Sequence, residues 1–346
     1  MAANSQSTAT LEPVDQRLID GFQRDFPLHS RPFSVIGETL NLTEDAVIRR
    51  YAALRAAGVI SRIGALVAPN TLGASTLAAM AVPAERLEAV ARLVSAESGV
   101  SHNYARENPM NLWFVVTGPD VQSVEAVIAG IEKRTGLPVN DLRLIEPYHL
   151  DLGFALDGAV GSGPRQNLHK PDLAAIRSGD RDLMAAIETG LPLASRPFRS
   201  IAALTGMDEH AILERLDALI RAAIIRRFGV VVKHRALGYE TNAMAVWDVP
   251  DTDTNRLGKA FGGEPGVTLC YARRRTDVWP FNLYCMVHAR RRDDALAVID
   301  RLNDIAGETD GAKPRDHAVL FSTRCFKQTG ARLSRQNKTV MCHGQV

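Results

Sequence analysis

The chain has 346 residues, 46% of them hydrophobic, with 41 basic against 39 acidic side chains. That is enough apolar material for more than one buried core, while a net charge of +2 supplies neither a basic field for nucleic acid nor an acidic tail. No apolar run reaches the length of a membrane span, residues 1–13 are polar and read as a tail rather than a signal peptide, and Cys270, Cys285, Cys325 and Cys342 form no CxxC pair, which leaves neither a disulfide framework nor a metal-ligand set and fits a reducing cytoplasm.

In chain order, residues 14–26 carry apolar side chains at helical spacing. Leu42-Thr43-Glu44-Asp45 opens a second helix, with Thr43 suited to the N-cap and the two acids to the positive end. Its apolar stripe is Val47, Tyr51 and Leu54. Gly58 ends it and Val59-Ile60 starts a strand, so helix, turn, helix and a short hairpin predict a winged helix-turn-helix over residues 14–68. Residues 76–82 form an apolar strand. Pro83 then starts a helix with Leu87, Val90 and Val94 on one face. Residues 100–106 and 111–117 read as a hairpin, Pro119-Asp120 opens a helix with Val124, Ile128 and Ile131 inward, and residues 141–148 are a last strand. The order βαββαβ over 72–150 predicts a ferredoxin-like sandwich. Residues 151–179, with the run Gly158-Ala159-Val160-Gly161-Ser162-Gly163-Pro164, read as a linker.

The same unit then recurs. Ser30-Arg31-Pro32-Phe33 returns as Ser195-Arg196-Pro197-Phe198, and Leu72-Gly73 as Leu237-Gly238. Tyr104-Ala105-Arg106 returns as Tyr271-Ala272-Arg273, and Asn111-Leu112 as Asn282-Leu283. The drifting offset marks small loop insertions in an old duplication. A second winged helix-turn-helix is expected over 180–233, with Ile212, Leu216, Leu219 and Ile220 inward, and a second sandwich over 237–328, followed by a tail over 329–346. The fold class is therefore α+β, a tandem of winged helix-turn-helix plus ferredoxin-like sandwich.

A helix-turn-helix suggests gene regulation. A recognition helix must present Arg, Lys, Asn or Gln to the groove. The first candidate offers Arg49, Arg50 and Arg55 but also Glu44 and Asp45; the second sets Asp208, Glu209, Glu214 and Asp217 against Arg215 and Arg221. Phosphate contacts dominate DNA affinity, so this acidic load argues for packing rather than DNA binding.

The hairpins carry the unusual side chains. Alternate residues of a strand share a face, which groups His102, Tyr104 and Arg106 in the first copy and Tyr271, Arg273 and Arg275 in the second. Partner strands add Asn111 and Trp113, and Asn282, Tyr284, Met286 and His288; Trp279 sits at the second turn. His102 aligns with Leu269 and His288 with Thr117, so each copy keeps a histidine that the other lacks. Any one of these is readily a core residue. As a set at equivalent places they suggest a pocket for a flat polyanion: Arg forks onto carboxylates, Trp and Tyr offer planar surface, and His moves protons near neutral pH.

The architecture resembles a subunit of the leucine-responsive (Lrp/AsnC) regulators, whose sandwiches pair, so a fused tandem is expected to form a pseudo-dimer within one chain. At the hairpins the resemblance is narrower. Gly99-Val100-Ser101-His102-Asn103-Tyr104-Ala105-Arg106 with Asn111-Leu112-Trp113 looks like the NirD type of sirohaem decarboxylase half, and Gly266-Val267 through Arg275 with Trp279 through His288 like the NirL type. The resemblance implies a cytoplasmic carboxy-lyase that converts sirohaem to 12,18-didecarboxysirohaem for haem d1. It implies no cofactor of its own, since iron enters with the sirohaem substrate. Homo-oligomers and contacts with other haem d1 biosynthesis proteins are the partners it allows; DNA and membrane are not expected. Within it, Arg106, Arg273 and Arg275 would bind carboxylates, with Asn111, Asn282 and Tyr284 lining the pocket. Trp113 and Trp279 would pack on the macrocycle. His102 and His288 would transfer protons, one of them near the iron, with Tyr104 and Tyr271 as second donors. The alternative is an Lrp/AsnC-like regulator or a sensor that binds the tetrapyrrole without chemistry.

Overall fold

The computed structural model describes residues 11–150, 153–154, 156, 169–308 and 313–330. The tails at 1–10 and 331–346 and the glycine run at 158–164 lie outside them. The first copy contains α1 (Pro13–Asp20), α2 (Pro32–Leu40), α3 (Glu44–Ala56), β1 (Ile60–Val67), β2 (Ala74–Met80), α4 (Leu87–Ala96), β3 (Val100–Arg106), β4 (Leu112–Gly118), α5 (Val121–Thr135), β5 (Asn140–Leu142) and β6 (Leu144–Leu150). The second contains α6 (Asp180–Ala186), α7 (Pro197–Thr205), α8 (Glu209–Arg221), β7 (Ile225–Val232), β8 (Thr241–Asp248), α9 (Thr254–Gly262), β9 (Val267–Arg273), β10 (Leu283–Ala289), α10 (Arg292–Glu308) and β11 (Asp316–Gln328).

The local signals work as expected. Pro32 and Pro197 occupy the first turns of α2 and α7. Thr43 caps α3 by accepting from the Ala46 amide at 3.2 Å, and Asp208 caps α8. Val47, Tyr51 and Leu54 are buried, as are Ile212, Leu216 and Leu219. Gly58 ends α3 with φ +74°, a conformation that Ala223 adopts at the equivalent place in the second copy (φ +56°).

The wings differ from expectation. Each helix-turn-helix is followed by one strand rather than a hairpin, and β1 pairs antiparallel with β7 of the other copy, with Gly64 opposite Gly229. Long-range pairing replaces the local turn. A Cβ at Gly229 would stand 2.3 Å from the Gln23 carbonyl oxygen, so only glycine lets the chain after α1 lie across this ribbon. The two helix-turn-helix units accordingly share one core, in which Phe33, Ile36 and Tyr51 join Phe198, Ile201 and Leu216.

The two sandwiches also exchange strands. The sheet order is β5-β2-β4-β3-β11-β8-β10-β9-β6. The first half of β11 pairs with β8 of its own copy and the second half with β3 of the other. Likewise β5 pairs with β2, while β6, one residue later, pairs with β9. The expected single strand over 141–148 is thus broken at Arg143 so that it serves both copies, and the sheet curls into a closed wall. Helices cover its outside over two cores, one per copy. Its inside is filled by a third, mixed core of Met110, Trp113, Met244, Trp279, Phe281 and Tyr284. This is the internal pseudo-dimer that the duplication predicts.

Candidate functional site

Strand alternation puts His102, Tyr104 and Arg106 on the inner face of β3. The outer face carries Asn103, whose amide reaches Ala91 of α4. The roles divide differently from what the shared face suggests. Arg106 is buried, and its Nη1 donates to the Leu320 carbonyl of β11 at 2.9 Å. Arg273 does the same to the Leu142 carbonyl of β5 at 3.0 Å. Each guanidinium therefore caps a carbonyl of the other copy, just before the point where that copy's strand crosses over: Leu320 still pairs with β8 and Leu142 with β2. Arg106 lies 5.8 Å from the Tyr104 ring and Arg273 5.3 Å from the Tyr271 ring. The repeated Tyr-Ala-Arg is a clamp between copies.

The other hairpin residues also make hydrogen bonds within the fold. Asn111 brackets Val82, accepting from its amide and donating to its carbonyl, and Asn282 brackets Val249 in the same way. Trp113 Nε1 donates to the Met110 carbonyl, and Tyr284 Oη to that of Phe281. Trp279 donates to Tyr284 Oη at 2.9 Å and meets Trp113 edge-on at 5.1 Å, inside the mixed core. Arg275 lies beyond the end of β9. It is ion-paired with Asp248 at 2.8 Å and with Asp251, and its Nε donates to the Pro280 carbonyl. The structure does not bring Arg275 to the histidines.

The unrepeated residues do converge. Arg106 Nη2 donates to Asn242 Oδ1 at 3.0 Å, and Asn242 Nδ2 meets His288 Nε2 at 2.8 Å. On the far side, His288 Nδ1 meets Thr268 Oγ1 at 2.8 Å, and that hydroxyl donates to the Met286 carbonyl. The donors fix one direction throughout. Because Asn242 Oδ1 faces a guanidinium, its amide nitrogen faces the ring, so His288 Nε2 accepts; because the Thr268 proton is committed to Met286, His288 Nδ1 donates. His288 is a neutral imidazole with both nitrogens engaged. Burial, His234 and Arg106 all push its pKa well below the usual histidine range.

His234 was not apparent in the hairpin pattern. It lies in the 3-10 turn His234–Leu237 between β7 and β8, and its ring stands 4.7 Å from that of His288. It is buried, and its Nε2 has no hydrogen-bond partner. Burial, then Arg235 and His102, push its pKa down to about 4. His102 stacks on Tyr104, touches Ser101 Oγ through Nδ1, and is held down at about 4 by burial and Arg62. The Nε atoms of Arg106 and Arg235 are also buried without partners. Phe154 from the inter-copy segment closes the group, packing on His234, Tyr239 and His288 while Gln23 brackets its backbone. Tyr104 faces this cluster. Tyr271 has Arg273 and Arg226 as its charged neighbours instead. Comparing the copies could have found the missed residues, since His234 and Arg235 stand where the first copy has Pro69 and Asn70.

An arrangement of neutral histidines beside guanidinium groups, one ring nitrogen unpartnered, is suited to drawing in carboxylates and exchanging protons with them. Comparison with known proteins gives the same direction. A family model described as "Siroheme decarboxylase NirDL-like HTH domain" matches residues 15–60 and 180–226, and one described as "AsnC-like ligand binding domain" matches 71–149 and 236–327. The chain is 46% identical over 325 residues to the "Siroheme decarboxylase NirDL subunit" of Paracoccus pantotrophus, covering 93% of this chain and 98% of that one. It superposes on a crystal structure of the siroheme decarboxylase NirDL with TM-score 0.66 and 26% identity, over 92% of this chain and 94% of that one. The co-complex of that enzyme with an iron-uroporphyrin III analogue superposes with TM-score 0.64 and 25% identity, over 92% and 93%.

Proposed function

The chain belongs to the NirDL family of sirohaem decarboxylases, and we propose on that footing that it is a carboxy-lyase removing CO2 from two ring acetates of sirohaem, giving 12,18-didecarboxysirohaem for haem d1. The observation that carries this reading is the cluster of His102, His234 and His288 among Arg62, Arg106 and Arg235, assembled from both copies.

Each decarboxylation breaks the bond between the acetate methylene and its carboxylate. CO2 leaves, the electron pair stays on the substrate, and one proton from the protein makes the methyl group. The macrocycle delocalises the charge, so the protein must hold carboxylates, exclude water and supply the proton. Arg62 and Arg235 are the groups with most capacity for carboxylates, since both Nη atoms of Arg106 are committed to Leu320 and Asn242 and only its Nε is left. His102 and His234 are the proton-transfer residues. Both are neutral in the free protein because burial and nearby cations disfavour the imidazolium. A substrate carboxylate beside Arg62 or Arg235 cancels that field and raises the histidine pKa, so the acid is made when substrate arrives. His288 holds His234 in place rather than donating itself. Tyr104, its pKa raised by burial, lines the same face.

DNA binding is not part of this reading. Arg50 of α3 is tied to Asp15 at 2.9 Å and to Glu12, and its counterpart Arg215 to Asp180 at 2.5 Å. Arg31 pairs with Glu44 at the start of α3, and Arg196 with Glu209 at the start of α8. The helix ends that would meet phosphates already carry carboxylates. Anaerobic incubation with sirohaem followed by mass spectrometry tests the proposal. Loss of the mass of two CO2 supports it. Unchanged ligand together with a specific DNA gel shift supports a regulator instead.

A further inference from the structure

Each copy breaks its strand ladder at one equivalent point. In β3, Val100 pairs with Val116 and His102 with Val115, which leaves Ser101 as an extra residue between them. In β9, Val267 pairs with Val287 and Leu269 with Met286, which leaves Thr268 in the same position. Such a bulge re-aims a side chain. Strict alternation would put Ser101 and His102 on opposite faces. Instead Ser101 Oγ lies 3.0 Å from His102 Nδ1. In the second copy, Thr268 Oγ1 lies 2.8 Å from Nδ1 of His288 on the neighbouring strand. Ser101 and Thr268 are both buried. Resting on the reading above, we propose that Ser101 and Thr268 are positioning residues for the decarboxylation. Each hydroxyl accepts from the Nδ1 hydrogen of one histidine, so that His102 exchanges protons with the substrate through Nε2.

The direction follows from where each hydroxyl sends its own proton. Thr268 Oγ1 donates to the Met286 carbonyl at 2.9 Å. Val115 matches Met286 in the first copy, and its carbonyl accepts from Ser101 Oγ at 3.5 Å, a longer bond to the equivalent partner. With the hydroxyl proton on that carbonyl, the oxygen is left to accept from the ring, so Nδ1 carries the hydrogen and Nε2 the lone pair. The same arrangement suits the protonated ring, whose Nδ1 hydrogen needs an acceptor while its Nε2 hydrogen is delivered. The first bulge is also held from the other copy. Thr329, just past the end of β11, donates to the Ser101 carbonyl through its amide at 2.8 Å and its hydroxyl at 3.2 Å. The two rings differ in their second nitrogen. Nε2 of His288 accepts from Asn242, whereas His102 is hydrogen-bonded through Nδ1 among the described residues. A repeated hydroxyl thus orients two histidines that are not themselves repeated.

Nitrogen NMR of the full chain, labelled in its histidine rings, tests this directly, with His102→Asn and His288→Gln assigning the two sets of signals. Hydrogen on Nδ1 of both rings is expected in the wild type at pH 7. Hydrogen on Nε2 of His102 instead overturns the proposal, whatever any variant does. Ser101→Ala is expected to shift His102 toward the Nε2–H form. It should also lower kcat for sirohaem about tenfold, the worth of one hydrogen bond, with KM little changed. Ser101→Thr, which carries the second copy's own residue, should restore both the tautomer and the rate. An unchanged tautomer in Ser101→Ala, or a lost rate that Ser101→Thr does not rescue, overturns the proposal. A wild-type chain that leaves sirohaem unchanged sinks the decarboxylase reading instead, and the tautomers of the resting protein keep the two failures apart.

Discussion

Asn242 joins the clamp to the histidines, and its substitution by leucine is the sharpest test of the directed network. Leucine matches its size but makes neither hydrogen bond. Arg106 Nη2, a charged and buried donor, loses its partner at 3.0 Å, and His288 Nε2 loses the donor at 2.8 Å. Losing a hydrogen bond to a charged group costs about 2 kcal/mol and stranding a buried ring nitrogen costs about 2 kcal/mol more. The apolar side chain returns about 1 kcal/mol through burial, leaving a net loss of about 3 kcal/mol. Urea denaturation of wild type and Asn242→Leu reads this as a lowered midpoint at unchanged slope. Because His288 backs His234 at 4.7 Å, kcat is expected to fall more than tenfold while KM moves little. Asn242→Asp is the companion variant. Its carboxylate still accepts from Arg106 but has no proton for His288, so the ring must carry a proton on Nε2, visible in the nitrogen NMR spectrum. A cost below about 1 kcal/mol for the leucine variant, or a wild-type His288 already protonated at Nε2, would refute the network.

Further expectations follow from the same site. His102 and His234 titrate near 4 in the folded chain against about 6.5 unfolded, so the unfolded state binds more protons between those values and stability falls as pH falls through that window. At pH 5 each histidine accounts for about 2 kcal/mol, and His102→Asn or His234→Asn should flatten the drop measured between pH 7 and pH 5; an unchanged slope would count against the assignment. Binding of iron-uroporphyrin III should take up protons at pH 7, read by calorimetry in buffers of different ionisation enthalpy, and a buffer-independent heat would contradict the proposed rise in histidine pKa. Arg235→Gln should raise KM about tenfold, roughly the worth of one charge-assisted contact, with kcat little changed; an unaltered KM would remove Arg235 from carboxylate binding.

Much of this was legible in the sequence, and the limits have physical causes. Strand alternation correctly put His102, Tyr104 and Arg106 on one face, and the helix caps at Thr43 and Asp208 formed as their residue types require. What alternation cannot state is what lies across that face. Arg106 and Arg273 meet carbonyls of strands more than a hundred residues away, so their part in joining the copies follows from strand exchange, which no local pattern encodes. The missing wing hairpin has the same origin, since β1 finds its partner in β7. Repetition and difference between the copies mark different kinds of residue. Residues kept in both copies, such as Asn111 with Asn282 and Arg106 with Arg273, make contacts that hold the scaffold. Residues present in one copy alone, such as His234 and Asn242, meet at His288. His234 escaped notice because it sits outside the hairpins, although Pro69 at the matching position marks the difference.

The account rests on His234, whose Nε2 is unpartnered, rather than His288 carrying the proton-transfer chemistry of the second copy. Anaerobic sirohaem turnover by His234→Gln and by His288→Gln, followed across pH, separates them. His234→Gln is expected to lose activity at every pH. His288→Gln, which can still accept from Asn242 and donate to Thr268, should retain a tenth or more of the wild-type rate with the same pH profile. Full activity in His234→Gln, with complete loss in His288→Gln, would contradict the account.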